Sequence, residues 1–332
     1  MAKISVLMSV FNQEDYLKDS IDSILNQDFE DLKFVIVNDG SNDKSSSILE
    51  SYSDKRIVVV NNEKNIGLIS SLNKGLGFCL DSKYVARMDS DDIAFGNRLS
   101  TQMTILEENK SIGMIGTGVE FFGNGLKAYK KIPPKGHKDI VANMICQNPF
   151  YHPTIMFRSA TLVEYNLRYS MDFPKYEDYA LWATLANKCQ LANLPEVLLK
   201  YRRHGTNEGA VYNKDPELDA KLFARTVTML CQNLNLRIEE REIEVLSIIS
   251  SSTRATLNPA ISLDEILALS RIIKRASSKE LNLDYLKFKL YERSLLYLLT
   301  TKRYSEIPRL TFLNNNFTVV PRLLAAQYTR QD

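Results

Sequence analysis

Residues 85–93 read Val85-Ala86-Arg87-Met88-Asp89-Ser90-Asp91-Asp92-Ile93, an apolar segment that stops abruptly at three carboxylates. The apolar run ending at Met88 predicts a buried strand. In an open α/β sheet, ligands bind at the carboxyl ends of strands, so these acids are expected at the mouth of a crevice. Hard oxygen ligands of this kind suit Mg²⁺ or Mn²⁺ held together with substrate phosphates. The alternative is an acidic loop that caps a helix beginning near Phe95.

Strands and helices alternate over the first third of the chain. Apolar runs predict four buried strands, at Ile4–Val10, Phe34–Val37, Ile57–Val60 and Tyr84–Met88. Between them, apolar residues recur at helical spacing. Such alternation implies right-handed crossovers and a mostly parallel sheet. The predicted fold class is therefore α/β, a Rossmann-like, mixed but mostly parallel sheet flanked by helices, with a smaller C-terminal helical region.

The pattern changes after the fourth strand. Ile112–Ile115 and Val119–Phe122 are predicted as two short strands near glycine-rich turns, and Thr154–Phe157 and Val197–Tyr201 as two more. Beyond about Lys214 the chain becomes helical and poor in glycine. The sequence therefore predicts an α/β domain over residues 1–213 and an α-helical region over residues 214–332.

Composition and charge are those of an ordinary globular protein. The 332 residues carry 42 basic and 40 acidic side chains, for a formal net charge of +2, which is too balanced to indicate a nucleic-acid partner. The four scattered cysteines form no C-x-x-C pair and favour buried, reduced thiols in the cytosol. The chain enters a strand at once, which leaves no room for a signal peptide. A cytoplasmic location is therefore expected.

Membrane contact is the open question of the C-terminal region. No apolar run approaches the roughly 20 residues that a spanning helix requires. The last apolar stretch, Val319–Ala326, is followed by Arg330 and contains Arg322. It is predicted as a packed final helix, and peripheral contact with a membrane surface is the alternative.

The polar residues at the predicted strand ends resemble the ordered motifs of family 2 glycosyltransferases, which are inverting enzymes with the GT-A fold. The resemblance extends over about residues 3–206. One departure is Asn38, where many members carry Asp. The matching segments are Ser5–Asn12, Asn38-Asp39-Gly40-Ser41, Asn65–Gly75, Ala86–Asp92, His152-Pro153-Thr154 with Phe157-Arg158, Glu177–Trp182, and Tyr201-Arg202 with His204.

This resemblance implies a metal site and a donor site in the first domain. Asp91 would ligate Mn²⁺ or Mg²⁺, and Asp89 would hold the ribose or share the metal. His204 would supply a further metal ligand or touch the pyrophosphate, and a structural role is its alternative. Asp92 is expected to act as a cap or a weaker ligand. The residues implied to bind the donor nucleotide are Val10, Asn12, Glu14, Asp39, Asn73, Arg87, Asp89 and Arg202. Several have structural alternatives, which are a turn for Asp39, a helix cap for Asn12 and an ordinary salt bridge for Arg87.

Inversion at an anomeric carbon needs a base that deprotonates the acceptor hydroxyl as it attacks. Glu177 and Asp178 match the acidic pair of the family, and the resemblance implies that Asp178 is the base. The alternative is that both acids simply favour the positive end of the helix that they open. His152 is expected to shape the acceptor side or to pack.

The predicted function is transfer of a hexose from a UDP-sugar to a glycan or lipid-linked saccharide in surface polysaccharide synthesis. UDP-glucose and UDP-galactose are the expected donors, and relatives often use a polyprenyl-diphosphate-linked acceptor. That acceptor would bring the protein to the cytoplasmic face of the membrane. Two alternatives remain open, a nucleotidyltransferase and a non-catalytic module that binds nucleotide-sugars or glycans. The first would be expected to carry a glycine-rich, basic phosphate loop near Met8–Gln13, which the sequence lacks.

Overall fold

The computed structural model describes residues 2–123, 125–205, 215–257, 261–277, 279 and 281–312. Among these residues, nine strands form one sheet in the order β3-β2-β1-β4-β8-β6-β9-β5, and β7 pairs with β6. The strands are β1 Ile4–Val10, β2 Leu32–Asn38, β3 Ile57–Asn61, β4 Tyr84–Asp89, β5 Ile93–Ala94, β6 Ile112–Gly123, β7 Leu126–Lys131, β8 Met156–Arg158 and β9 Gln190–Arg202. The longest pairings are parallel, so the predicted mixed, mostly parallel sheet is confirmed.

Helices connect and flank these strands. They are α1 Leu17–Leu25, α2 Ser45–Glu50, α3 Leu68–Gly77, α4 Arg98–Glu108, α5 His137–Met144, α6 Ser159–Glu164 and α7 Glu177–Leu185. The adjacent strand residues Leu7 and Met8, which point to opposite faces of the sheet, are both buried, as expected where helices cover both faces of a parallel sheet.

The register of the parallel strands aligns their carboxyl ends. On β1, Val10 pairs with Asn38 of β2, and Ser9 pairs with Asp89 of β4. The turns that follow these three strands therefore open at the same edge of the sheet. This is the edge at which the polar motifs of the sequence were expected to meet.

The segment at residues 112–123 differs from its prediction. It is one continuous strand rather than two short strands, although its pairing with β9 shifts register around Gly116 and Gly118. A Cβ atom at Gly116 would lie 2.3 Å from Oδ1 of Asn193 and 2.9 Å from the ring of Phe150. Glycine is thus required there for close packing inside the sheet and not for a turn.

The helix after the acidic stretch begins later than predicted. Ile93 and Ala94 pair antiparallel with Lys200 and Leu199 of β9, so the chain forms β5 before α4 begins at Arg98. The N-cap residue of α4 is Asn97. The alternative that the acidic loop caps a helix near Phe95 is therefore wrong.

The chain divides into two compact units. The first comprises Met1–His137 and Pro149–Ala210, and the second comprises Lys138–Asn148 and Val211–Asp332. Asp139 joins the second unit through its Oδ1, which accepts a hydrogen bond from the side chain of Asn282 at 2.7 Å. The predicted boundary between residues 213 and 214 lies outside the described residues.

The second unit is helical in its described part. Its helices include α8 Pro216–Asn233, α9 Glu240–Ile249, α10 Ser252–Leu257, α11 Leu263–Ala268, α12 Ser270–Arg275 and α13 Leu283–Thr300. Helices α11 and α12 follow each other closely and are divided at Leu269. None of the helices in the described part of the chain has the length and apolarity to cross a bilayer. The stretch Val319–Ala326 lies outside the described residues.

Candidate active site

The acidic stretch forms a cluster of three carboxylates at the end of β4. The side chains of Asp89, Asp91 and Asp92 each place one carboxylate oxygen within 4.8 Å of the others. The turn is held in place because the hydroxyl of Ser20, on α1, donates to the carbonyl of Asp92 at 2.6 Å. The sequence prediction that these acids lie together at the strand end is thus met by the geometry.

Asp92 is the buried member of this cluster. Its Oδ1 accepts a hydrogen bond from the backbone N–H of Arg202 at 2.8 Å, whereas its buried Oδ2 has no hydrogen-bond partner among the described residues. Burial raises the pKa of Asp92 well above its usual range, and the charge of Asp91 raises it further. Three crowded oxygen ligands, one of them unsatisfied, form a donor set that fits a hard divalent cation such as Mg²⁺ or Mn²⁺.

His204 reaches the cluster from the end of β9. Its Nε2 lies 2.9 Å from Oδ2 of Asp91, and its ring lies 4.6 Å from the ring of Tyr16. His204 is buried, which limits the number of positions that its imidazole can adopt. It was predicted as a metal ligand, and the structure places it in contact with a member of the carboxylate cluster.

Arg202 supports the same turn. Its Nε donates to the carbonyl of Asp91 at 2.7 Å, and its Nη2 contacts Asp19 at 3.1 Å. Its guanidinium also lies over the rings of Tyr16 and Phe122. These contacts show that Arg202 positions the acidic turn, while its predicted contact with the donor diphosphate stays a prediction.

Arg87 is a buried cation on β4, two residues before the end of the strand. It forms an ion pair with Asp89, which is the salt bridge that the sequence offered as an alternative to donor binding. Its Nε atom is buried and has no hydrogen-bond partner among the described residues. Arg87 therefore retains a donor group that its partner Asp89 does not satisfy.

The predicted nucleoside-binding residues of the first loop are joined to the loop after β2. The side-chain Oδ1 of Asn12 accepts from the N–H of Asn42 at 2.9 Å, and Oε2 of Glu14 accepts from the N–H of Lys44 at 2.8 Å. The carbonyl of Val10 accepts from the N–H of Asp39 at 2.8 Å. The three predicted residues thus shape the loop, and their contact with a nucleoside stays a prediction.

Asp39 is buried and organises the loop between β3 and α3. Its Oδ1 accepts hydrogen bonds from Nδ2 of Asn62 at 2.8 Å and from the N–H of Ile66 at 2.9 Å. Its Oδ2 accepts from the N–H of Gly67 at 3.0 Å. Asp39 therefore has a structural role, but it holds the loop before α3 rather than the predicted turn at Asn38-Asp39-Gly40, and its contact with uracil stays a prediction.

Asn73 and Tyr169 connect α3 to the loop before α7. The amide of Asn73 donates to the carbonyl of Tyr169 at 2.8 Å and accepts from its N–H at 2.9 Å. The hydroxyl of Tyr169 lies 2.9 Å from Nε2 of His152. Both functional groups of the Asn73 side chain are used in this way, so its predicted contact with the ribose stays a prediction.

The predicted catalytic acids open α7, as expected. Glu177 is buried and Asp178 is partly buried. Burial raises the pKa of the Tyr169 hydroxyl, the positive charge of Arg87 lowers it, and the charges of Asp178 and Glu177 add to the rise. The two acids and Arg87 therefore all lie close enough to Tyr169 to affect its ionisation.

Two residues of this site were not predicted from the sequence. Tyr169 lies in a loop without any periodic pattern, so no sequence signal identifies it. Arg98 is fully buried, and its guanidinium donates to the carbonyl of Arg87 at 2.7 Å and to Oε1 of Gln102 at 3.1 Å. Burial lowers the pKa of Arg98 to about 9. Its spacing of four residues from Gln102 is the one signal that indicates a shared face of α4.

Comparison with known proteins identifies the family of the chain. The family model of glycosyl transferase family 2 matches residues 5–165. A protein of Haemophilus influenzae described as an uncharacterized glycosyltransferase is 39% identical over 235 residues, which cover 67% of this chain and 72% of that protein. The O-antigen biosynthesis glycosyltransferase WbnJ of Escherichia coli is 35% identical over 208 residues, 60% of this chain and 80% of its own.

A further relative and a solved structure extend the comparison. The E. coli UDP-Gal:alpha-D-GlcNAc-diphosphoundecaprenol beta-1,3-galactosyltransferase is 30% identical over 210 residues, 60% of this chain and 74% of its own. The crystal structure of S. aureus TarS 1-349 in complex with UDP-GlcNAc superposes with a TM-score of 0.58 at 19% identity, covering 92% of this chain and 91% of TarS 1-349. The predicted GT-A fold is thereby confirmed. The chain is a glycosyltransferase and belongs to glycosyl transferase family 2.

Proposed function

We propose that this enzyme is an inverting, metal-dependent glycosyltransferase that moves a hexose from a UDP-sugar to a saccharide acceptor. The observation that carries the proposal is the cluster of Asp89, Asp91 and Asp92 within 4.8 Å at the carboxyl end of β4. Carboxylates crowded at a strand end repel one another unless a cation or a proton compensates their charge. A nucleotide-sugar brings a diphosphate that needs the same cation.

A divalent cation at this site would be held by carboxylates of the acidic cluster. Asp91 and Asp89 are the proposed carboxylate ligands, and His204, which contacts Asp91, is the further proposed ligand. Mn²⁺ or Mg²⁺ in this position supplies Lewis-acid neutralisation of the charge that develops on the leaving UDP. Arg202 keeps the acidic turn in place through its bond to the carbonyl of Asp91.

The donor nucleotide occupies the edge where β1, β2 and β4 end. The buried carboxylate of Asp39 accepts the uracil N–H there, and Arg87 supplies charge beside Asp89. The alignment of these strand ends supports a single crevice for the nucleotide. The remaining residues proposed to line that crevice are Val10, Asn12, Glu14, Asn73 and Arg202.

The transfer step is a displacement at the anomeric carbon. The carboxylate of Asp178 takes the proton of the acceptor hydroxyl while its oxygen forms the new bond to that carbon. The bond between the carbon and the diphosphate oxygen breaks, and its electron pair leaves with UDP. Attack from the face opposite the leaving group turns an α-linked donor into a β-linked product.

The acceptor is proposed to be a growing surface polysaccharide on a polyprenyl-diphosphate carrier. Two relatives support this assignment, since one is named for O-antigen biosynthesis and the other for galactosyl transfer to GlcNAc-diphosphoundecaprenol. UDP-galactose and UDP-glucose are the proposed donors. Action on such a carrier places the enzyme in the cytoplasm, in peripheral contact with the inner face of the membrane.

A transfer assay tests this function. The enzyme is incubated with Mn²⁺, a UDP-sugar and a saccharide diphosphate acceptor, and UDP release is measured with and without EDTA. We expect UDP release that EDTA abolishes, and a β-configured product by NMR of its anomeric proton. An α-linked product contradicts inversion, and EDTA-insensitive transfer contradicts metal dependence.

A further inference from the structure

A cluster of aromatic rings and cations lies on the face of β9 that carries Tyr201. Its members come from four segments that are distant in the sequence. The ring of Phe121 lies 5.0 Å from that of Tyr129 and 5.2 Å from that of Tyr201. We call this group the aromatic–cationic cluster, and its members are Phe121, Tyr129, Lys131, Tyr151, Tyr201 and Arg203.

Two cations are stacked on the same ring of this cluster. The guanidinium of Arg203 lies 4.9 Å from the ring centroid of Phe121, and Nζ of Lys131 lies 5.9 Å from the same centroid. Contact with a ring face holds a long basic side chain in one region and favours retention of its positive charge. Both cations therefore lie within 5.9 Å of the same ring centroid.

The charge of Arg203 is not compensated within the described residues. Lys130 pairs with Glu120, and Arg202 pairs with Asp19, whereas Arg203 forms no ion pair with any carboxylate in the described part of the chain. Arg203 and Lys131 are both exposed, as is Tyr129. An exposed, uncompensated guanidinium held in position by aromatic rings is a site that fits an anion.

The cluster borders both parts of the proposed active site. Burial raises the pKa of Tyr201, and the charges of Asp92 and Asp91 raise it further, so its hydroxyl lies near the acidic cluster. On the other side, Tyr151 precedes His152, whose ring lies 5.9 Å from that of Trp182. Trp182 lies on α7, the helix that carries Asp178.

Exposed apolar side chains also occur along the β6–β7 hairpin, among its lysines. Every residue of β7 is exposed, including Leu126, and Ile132 just beyond β7 is 48% exposed. Lysines on an edge strand also prevent pairing with other sheets, and Lys127 and Lys130 fit that role. That explanation does not account for Arg203, which follows the end of β9, or for the exposed apolar side chains.

We propose that the aromatic–cationic cluster binds the diphosphate of a carrier-linked acceptor between Arg203 and Lys131. The exposed ring of Tyr129, with Leu126 and Ile132, contacts the apolar chain of the carrier. This site is formed by residues other than those proposed to line the donor crevice. The inference rests on the proposed function, because it assigns the acceptor class of the same reaction.

Geranyl diphosphate is the probe that tests this site, because it combines an isoprenyl chain with a diphosphate and lacks both sugar and nucleoside. Its binding to the full chain is measured by calorimetry in the presence of saturating UDP and Mn²⁺. A parallel measurement with inorganic pyrophosphate separates the contribution of the diphosphate from that of the isoprenyl chain. We expect geranyl diphosphate to bind while UDP is bound, and to bind more tightly than pyrophosphate.

The test variants are Arg203→Gln and Lys131→Gln. Lys127→Gln is the matched control, because Lys127 lies on the same strand as Lys131. We expect each test variant to weaken geranyl diphosphate binding by about tenfold or more, as for loss of a charge-assisted hydrogen bond. The control variant is expected to bind geranyl diphosphate as the parent does, and the affinity for UDP is expected to remain unchanged in all variants. Unaltered thermal unfolding of the variants shows that the fold is retained.

Three results overturn the inference. The first is that the parent protein does not bind geranyl diphosphate, and the second is that UDP displaces it. The third is that Lys127→Gln weakens geranyl diphosphate binding as much as the test variants do. That result would indicate a diffuse positive charge, such as nucleic acids also recognise. Failure of the proposed function gives a different result, which is that UDP does not bind in the presence of Mn²⁺. In that case geranyl diphosphate binding is measured on the protein without UDP and Mn²⁺, and the same variants decide the outcome.

Discussion

Nε2 of His204 lies 2.9 Å from Oδ2 of Asp91, although the two residues are 113 positions apart in the sequence. This contact joins the end of β9 to the end of β4. Because Arg202 also bonds to the backbone of Asp91, two residues of the same segment fix the acidic turn. The proposed metal site is therefore held together by contacts within the protein.

Asp178→Asn is expected to abolish transfer while donor binding is retained. The amide is nearly the same size as the carboxylate but cannot accept a proton from the acceptor hydroxyl. The loss of a general base lowers kcat by about 10²- to 10⁴-fold. The measurement is kcat with UDP affinity determined in parallel, and Glu177→Gln is the matched comparison. If Asp178→Asn turns over near the parent rate, the base lies elsewhere.

Asp39→Asn is expected to lower stability as well as UDP affinity. One carboxylate oxygen becomes an NH₂ group that faces a backbone N–H of Ile66 or Gly67, so at least one buried hydrogen bond is lost. A hydrogen bond to a charged group contributes about 1.5–3 kcal/mol. Urea unfolding measures this loss. An unchanged midpoint would contradict the structural role, and an unchanged preference for UDP over CDP would contradict the uracil contact.

Gly40→Ala is expected to destabilise the protein more than Gly125→Ala. Both glycines have φ of +69°, so alanine is strained at either position. Only at Gly40 would the new Cβ collide with backbone, at 2.5 Å from the carbonyl carbon of Lys64 and 2.7 Å from the nitrogen of Asn65. Overpacking of this kind costs about 1–3 kcal/mol beyond the shared strain.

The two glycine variants are compared by chemical unfolding under the same conditions. UDP affinity is also expected to fall in Gly40→Ala, since residue 40 follows Asp39 directly. Equal destabilisation by the two variants would show that the loop after β3 moves aside without cost.

His152 is expected to make stability depend on pH below neutrality. Burial lowers its pKa well below the usual 6.5, and the charge of Arg87 lowers it further. Below pH 6.5 the unfolded chain takes up this proton while the folded chain does not, so stability is lost as pH falls towards the folded pKa. The slope is at most about 1.4 kcal/mol per pH unit.

The His152→Gln variant isolates this contribution. Glutamine retains a hydrogen-bonding group for the hydroxyl of Tyr169 but does not titrate. The free energy of unfolding, measured from pH 7 to pH 5, is expected to fall less steeply in the variant than in the parent. Parallel pH profiles would show that His152 is as easily protonated in the folded state as in the unfolded state.

The sequence predicted the strands whose signal is continuous. Strands β1 to β4 were each found because a run of apolar residues ends at a polar turn. The strand at Ile112–Gly123 was misjudged because Gly116 and Gly118 indicate turns by composition. Gly116 instead admits the side chains of Asn193 and Phe150, and Gly118 admits the side chain of Ile132 and the carbonyl of Glu196. Such packing between segments is not encoded locally.

The same contrast between local and long-range signals applies to the candidate active site. Asp89, Asp91 and Asp92 were expected together because they are adjacent on the chain. Tyr169 was missed because its partners come from α3 and from the segment at His152. The aromatic–cationic cluster was also missed, since its members are divided among Phe121, residues 129–131, Tyr151 and residues 201–203, which only the fold brings together.

The measurement that tests the central claim most directly is a thermal-shift panel of UDP, GDP, CDP and dTDP with Mn²⁺, Mg²⁺ or EDTA. A ligand that binds only the folded state at a hundredfold excess over its Kd adds about 2.7 kcal/mol of stability. We predict a metal-dependent shift with UDP in the parent and none in Asp91→Asn. The control variant is Asp81→Asn, because Asp81 forms a surface ion pair with Lys33. A UDP shift that persists in EDTA or in Asp91→Asn would contradict metal-dependent donor binding at the end of β4.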